Sequence, residues 1–237
     1  MSSTQEAIIL AGGFGTRLRE VLGDVPKPLA QVSGRPFLAW ILDALQRQGL
    51  RRAILATGFK GAEIQAALGR RWHDMTLSYS HEQEPLGTGG AIAHAARKLH
   101  GDAFFVLNGD TWLTLDYVAF DEYVRQSRAR FGMALARVPD VSRYGAVCVE
   151  HGRVARFIEK GKVGPGYVNA GVYRMQQSML SAFPASTPFS FETEVLVPLA
   201  SSEAIVAYED TADFIDIGVP EDYARAQREF RSCGVGG

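Results

Sequence analysis

The chain has 237 residues, 46% of them hydrophobic, with 25 Lys and Arg against 26 Asp and Glu and a formal net charge of −1. That apolar content supports a sizeable core in one large α/β domain or two small ones and excludes global disorder. The balanced, evenly spread charge gives no footprint for nucleic acid or anionic lipid, so any bound phosphate must be caught locally by a few placed cations.

The polar start and the short apolar run after it do not make a signal peptide, and nothing approaches 18 consecutive apolar residues, so no membrane span is expected. Residues 7–10 form a short buried strand by their continuous apolar run. Residues 36–48 are helical by spacing, with Phe37, Ile41 and Leu45 on one face and Gly49 to end the helix. AILAT (53–57) is the next strand, and a short helix carrying Ile64 and Leu68 stops at Gly69. MTLSYSHE alternates as a strand, a Pro/Gly loop leads into an Ala-rich helix over 89–98, and AFFVLNGD is a buried strand ending in a turn. Four strand–helix repeats in the first 130 residues argue for a parallel sheet with helices on both faces.

The second half reads differently. FGMALARV is a strand, GAVCVEHGRVARFIEK a hairpin turning at His151-Gly152, and GYVNAGVYRM another strand. FETEVLVPLA is a helix, AIVAYED and FIDIG are short strands, and Pro220 opens a last helix through Phe230, followed by a frayed tail. Cys148 and Cys233 have neither metal-site nor disulfide-framework spacing; Cys148 reads as a small core residue, and a reducing cytoplasm fits. The whole reads as one α/β domain with an open, mixed sheet.

The first strand feeds directly into AGGFGTRL, and PKPL follows at 26–29. Bare backbone at a strand end lets N–H groups face an anion without a Cβ in the way. A Walker A loop needs a lysine that this stretch lacks. A dinucleotide fingerprint needs a third glycine and a ribose-binding acid after the second strand, where the chain has Thr57-Gly58. What remains is a loop cradling a nucleoside triphosphate, with Arg17 and Lys27 as charge partners and two prolines fixing the backbone around Lys27. The five histidines do not cluster, no Ser-His-Asp or Cys-His arrangement calls for covalent catalysis, and Trp40, Trp72 and Trp112 read as packing.

LAGGFGTRL…PKPL resembles the signature of the sugar-1-phosphate nucleotidyltransferases. The resemblance continues in order through EPLGTGGA, NGD, YGAV, FIEKG, NAGVY and FIDIGVPEDY, over roughly residues 6 to 230. RPFLAWILDALQRQG is most similar to short bacterial guanylyltransferases acting on D-glycero-D-manno-heptose 1-phosphate. The resemblance implies a Rossmann-like, GT-A-like fold: a mostly parallel mixed sheet flanked by helices, with an antiparallel sugar-binding part and no C-terminal β-helix. Residues 6–110 would be mainly nucleotide-binding, 111–230 mainly sugar-binding with the last metal ligand, and 231–237 a flexible tail. It implies attack of a sugar-phosphate oxygen on the α-phosphorus of a nucleoside triphosphate, expelling pyrophosphate. It further implies Mg²⁺, no membrane or nucleic-acid partner, a homodimer, and a cytoplasmic role in making surface polysaccharide.

Carried over residue by residue, the resemblance assigns catalysis to Arg17, Lys27, Asp110 and Lys160, and the metal to Asp110 and Asp216. The nucleotide would meet Leu10, Ala11, Gly12, Gly13, Gly15, Thr16, Arg17, Glu82, Pro85, Gly87, Thr88, Asn108 and Gly109. The sugar would meet Tyr144, Gly145, Glu159, Lys160 and Asn169. Asp216 also stands out by itself, since a carboxylate between Phe214, Ile215 and Ile217 needs a partner. Guanine presents two adjacent donors, N1–H and the 2-amino group, that one carboxylate accepts together, whereas uracil suits an amide. Glu82, or backbone carbonyls nearby, would therefore read GTP. By the same resemblance the sugar 1-phosphate would be the manno-configured heptose or mannose 1-phosphate. The pocket departs from many relatives at Gly161, where they carry proline, and at Thr111 after NGD. A uridylyl or thymidylyl enzyme and a non-catalytic nucleotide-sugar sensor are the rival readings.

Overall fold

The computed structural model describes residues 4–13, 23–58 and 60–232. Gly15, Thr16, Arg17 and the expected tail beyond Ser232 lie outside the described residues. In chain order the strands are β1 (Glu6–Leu10), β2 (Gln31–Val32), β3 (Arg35–Pro36), β4 (Arg52–Thr57), β5 (Arg71–Trp72), β6 (Met75–His81) and β7 (Ala103–Asn108), then β8 (Thr111–Thr114), β9 (Phe131–Val138), β10 (Ala146–Glu150), β11 (Arg153–Ile158), β12 (Gly166–Gln176), β13 (Ile205–Tyr208) and β14 (Ala212–Asp216). The helices are α1 (Phe37–Arg47), α2 (Gly61–Leu68), α3 (Gly87–Ala96), α4 (Tyr117–Gln126), α5 (Val197–Ser201) and α6 (Pro220–Ser232).

Ten strands from both halves of the chain share one sheet, in the order β10-β11-β13-β9-β12-β7-β1-β4-β6-β5. Strands β6, β4, β1 and β7 run parallel. β12 then pairs antiparallel with both β7 and β9, so the parallel part passes into an antiparallel one at β12. The period of two along each strand divides the core. Ala7, Ile9, Leu55, Phe105 and Leu107 face one layer, which Phe37 and Leu45 of α1, Phe120 of α4 and Phe230 of α6 cover. Ile8, Ile54, Phe104 and Val106 face the other, under Ile92 and Ala95 of α3 and Ala200 of α5. Trp40 and Trp112 each pack edge-on against Phe230 with centroids 5.0 Å apart, in keeping with a packing role. None of the described helices is long and apolar enough to cross a membrane.

Several expectations shift. The Ala-rich helix starts at Gly87, two residues earlier, and α6 runs two residues past Phe230. FETEVLVPLA opens as a π turn, Glu192–Leu196, before α5. Pro198 has no N–H to give the carbonyl four residues back, which disfavours an ordinary α-turn there. Cys148 is half-buried at a register shift of the β10–β11 hairpin and is not a core residue. The hairpin itself turns at His151 and Gly152, with φ of 50° and 72°, the twist that two-residue hairpins favour.

Candidate active site

The parallel strands stop together, and their C-terminal ends line a cavity of about 570 Å³. From β1 the chain goes to β4 on one side and later returns to β7 on the other, so strand order reverses about β1. Such reversals leave a crevice at the carboxyl ends of the strands where ligands bind. Leu10 to Gly13, Gly58, Glu82 to Pro85, Gly87, Thr88, Asn108, Asp110 and Lys27 all lie in its wall.

Two glycines make its floor. A Cβ on Gly12 would lie 2.9 Å from the Gly58 nitrogen, so the ends of β1 and β4 can close up only as bare backbone. Gly109, also expected at the nucleotide, lies between the wall residues Asn108 and Asp110 and is not itself in the wall. Its N–H donates to the Leu10 carbonyl at 2.8 Å, and a Cβ there would meet that oxygen at 2.6 Å. It fastens the turn after β7 to the end of β1.

At one end the Glu82 carboxylate lies against Gly12 and Gly58. Its Oε2 accepts from the Leu86 N–H at 3.1 Å, and its Oε1 is 3.6 Å from where a Gly12 Cβ would sit. The loop from Glu82 to α3 is braced from above by the segment at Phe189. Gly89 N–H donates to the Phe189 carbonyl at 3.1 Å, and Phe189 N–H donates to the Leu86 carbonyl at 3.0 Å. Side chains on Gly87 or Gly89 would run into the Phe189 backbone and ring. The Thr88 hydroxyl accepts from the Phe191 N–H at 2.8 Å and donates to Glu192 at 3.2 Å.

At another end sit the acids. β14 pairs with β8 so that Asp216 faces Thr111, and the Ile217 N–H donates to the Asp110 carbonyl at 3.0 Å. That register brings together two aspartates far apart in sequence. The Lys27 ammonium, expected to serve a phosphate, forms an ion pair with Asp110. Gly218 makes room for it: its N–H donates to Asp216 Oδ1 at 2.8 Å, and a Cβ would lie 2.7 Å from that oxygen and 3.0 Å from Lys27 Nζ. Burial, and next the charge of Asp110, push the Asp216 carboxyl above the usual range, against the Gly218 N–H, Lys27 and Arg143. Among the described residues no three His, Cys, Asp or Glu side chains form a metal cage. Two neighbouring carboxylates, with the remaining oxygens left to substrate and water, fit a hard divalent cation.

The residues expected at the sugar are outside this cavity wall. Gly145, at φ +84°, packs on the carbonyl of Ile158, where a Cβ would approach to 2.7 Å, and lies beside Lys160 N. The structure thus brings Gly145 together with Glu159 and Lys160, whose side chains are exposed and form no salt bridge among the described residues. Asn169 donates to the Tyr173 hydroxyl at 2.7 Å and accepts from Gly171 N–H at 3.0 Å; Gly171 in turn packs on the Asn108 amide. The Tyr144 hydroxyl is 3.2 Å from Asp222 Oδ2, with Arg143 bridging both, so this residue ties the loop to α6. Burial, with Asp222 next, pushes the Tyr144 phenol up to about 12.

Unforeseen in the cavity wall are Pro28, Ala56, Gly58, Gln83, Glu84, Ala91 and Glu192. Glu192 carried no sequence signal, since it follows its helix's apolar pattern as any solvent-facing acid would.

A glycine-floored cavity at the reversal point, walled by Asp110 with Asp216 beside it, is the crevice in which open α/β folds take their ligands. The chain belongs to the nucleotidyl transferase family, whose model matches residues 6–232. It is 40% identical to a D-glycero-alpha-D-manno-heptose 1-phosphate guanylyltransferase of Aneurinibacillus thermoaerophilus, over 95% of this chain and 98% of that one. It is 37% identical to the enzyme of the same name from Campylobacter jejuni, over 92% and 96%. The crystal structure of HddC from Yersinia pseudotuberculosis complexed with GMP-PN superposes with a TM-score of 0.84 at 37% identity, covering 96% of this chain and 100% of that one.

Proposed function

We propose that the protein transfers the guanylyl group of GTP to D-glycero-α-D-manno-heptose 1-phosphate, giving a GDP-sugar and pyrophosphate. One observation carries the reading: the cavity at the ends of β4, β1 and β7 has Glu82 and Asp110 in its wall, with Asp216 beside Asp110, in a chain that matches heptose 1-phosphate guanylyltransferases over nearly their whole length. A phosphate oxygen of the sugar 1-phosphate attacks the α-phosphorus, the bond from that phosphorus to the bridging oxygen breaks, and the electrons leave with pyrophosphate. Such chemistry asks for alignment and charge neutralisation.

Main-chain groups of Gly12 and Gly13 line the nucleotide, Glu82 accepts from guanine, and Gly145, Glu159, Lys160 and Asn169 receive the sugar phosphate. Arg17, Gly15 and Thr16 complete the phosphate loop in this reading. Asp110 and Asp216 would hold Mg²⁺, which when bound neutralises phosphate charge. Lys27 stands beside them, aimed by its flanking prolines, and can exchange Asp110 for a phosphate oxygen. In this reading the enzyme works in the cytoplasm, supplying activated sugar for surface polysaccharide.

Pyrophosphate release, measured with GTP, UTP, dTTP and CTP against heptose, mannose and glucose 1-phosphates, tests the reading. GTP with the heptose phosphate should give the highest kcat/KM. Preference for a pyrimidine nucleotide would assign another transferase, and GDP-sugar binding without turnover would make the protein a sensor.

A further inference from the structure

Glu192 occupies the cavity wall beside Thr88, at the start of α3. The π turn Glu192–Leu196 lies next to β12: the ring of Phe191 meets that of Tyr173 edge-on at 5.1 Å, and the Tyr173 hydroxyl holds the Asn169 amide at 2.7 Å. Tyr173 pairs with Val106 of β7, two residues before Asn108. Glu82 sits over the ends of β1 and β4. Glu192 meets the same loop through Thr88, two residues after the Leu86 N–H that holds Glu82, and turns its other side to Tyr173.

The local geometry leaves one of its oxygens free. Glu192 Oε2 accepts from the hydroxyls of Thr88 at 3.2 Å and Ser190 at 3.1 Å, while Oε1 accepts no hydrogen bond among the described residues. The backbone beneath is fixed by the Phe191 N–H on Thr88 and by the buried Phe191 and Val195 side chains. Its charge acts locally, since burial first and Glu192 second push the Tyr173 phenol up. A fixed carboxylate with a free oxygen repels phosphate and accepts from hydroxyls. Toward Tyr173 and Asn169, the latter expected at the sugar, the hydroxyl-rich partner is the sugar.

We propose that Glu192 accepts hydrogen bonds from ring hydroxyls of the sugar 1-phosphate and so helps set which sugar is taken. The inference rests on the guanylyl-transfer reading. It makes Glu192 a specificity residue on the nucleotide-facing wall, contributed by a segment whose sequence gave no sign of it.

Steady-state kinetics of Glu192→Ala and Glu192→Gln test it, with calorimetric GTP binding as the check on folding. The alanine variant should raise KM for the sugar 1-phosphate about tenfold to a hundredfold, the range for losing hydrogen bonds to a charged group, with KM for GTP within about twofold. The glutamine variant keeps an acceptor for Thr88 and should fall between the two. A monodeoxy sugar 1-phosphate lacking the hydroxyl that is read should lose its handicap in the alanine variant. Unchanged KM for the sugar overturns the proposal. So does an effect confined to GTP against 2′-deoxyGTP, which would put Glu192 on the ribose. An alanine variant impaired for both substrates beside a glutamine variant like wild type also overturns it, because Glu192 would then only brace the loop. Absence of wild-type turnover with every sugar 1-phosphate removes this inference and the guanylyl-transfer reading together, whereas wild-type turnover with an unmoved sugar KM removes this inference alone.

Discussion

Replacing Glu82 by glutamine is expected to turn the enzyme from GTP towards pyrimidine nucleotides, and the structure sets the size of the effect. Oε2 is already used by the Leu86 N–H at 3.1 Å. A glutamine there must keep its amide oxygen on that N–H, or leave the N–H unpaired, so its NH₂ falls where Oε1 stands, near Gly12. Guanine would then meet a donor where its N1–H and 2-amino group need an acceptor, while a pyrimidine carbonyl would be welcomed. One charge-assisted hydrogen bond is lost and one donor is opposed; in an open cavity the lower half of such costs applies, about 2–3 kcal/mol. At 1.36 kcal/mol per decade that is a fall of about 30- to 150-fold in the GTP:UTP ratio of kcat/KM. The assay is pyrophosphate release from a GTP and UTP series at saturating sugar 1-phosphate, with melting temperature as control. A ratio within about threefold of wild type would refute the reasoning and leave base reading to main-chain carbonyls.

Asp110→Asn should lower single-turnover rates by about a hundredfold or more, the cost of one preorganised charged group, while the fold stays intact; a rate within about threefold of wild type takes Asp110 out of the reaction. Asp216 has its carboxyl raised by burial and by Asp110, so between its unfolded value of about 3.9 and its native one the folded state binds more protons, and stability falls as pH rises through that window. Asp216→Asn, whose side chain can still accept from Gly218 N–H, should therefore melt higher than wild type at pH 7 without added divalent metal, with the gap closing below the unfolded value; a variant that melts lower at pH 7 would count against the assigned burial. Gly89→Ala gains at most about 1 kcal/mol of helix propensity but drives a methyl into the Phe189 ring, so urea titration should show a net loss of about 1–3 kcal/mol, and a gain would mean the ring moves freely.

The nucleotide half was legible because its signals are local. Continuous apolar runs gave β1, β4 and β7, and glycines that only a bare backbone position tolerates marked Gly12 at the crossing of strand ends. Asp116 capping α4 through the N–H groups of Val118 and Ala119, both at 2.9 Å, was a readable signal that went unread. β8 is only four residues long, and what makes it a strand is β14, more than ninety residues later, so no local pattern could announce it. The same pairing joins Asp110 to Asp216, a neighbourhood that rested on family resemblance alone until the register was known. Arg143 and Asp222 were missed for the same reason: each reads as a surface charge, and only the packing of α6 against the loop before β10 makes them a pair.

The charge of the cavity wall ties these residues into one scheme. Among its described lining residues a single cation, Lys27, faces four acids, Glu82, Glu84, Asp110 and Glu192, and Lys27 is already paired with Asp110. Such a wall does not hold a polyanion by side-chain charge. In the proposed function a triphosphate there lies along main-chain N–H groups of the glycine floor and shares a cation with Asp110 and Asp216, so its grip would be conditional on that cation and on the phosphate loop. On that reading the acids away from the aspartate pair would repel misplaced phosphoryl groups and accept from base and sugar donors. Discrimination would then come from directional acceptors in a cavity whose affinity for phosphate is local, which would let one near-neutral chain bind a highly charged substrate and still release pyrophosphate.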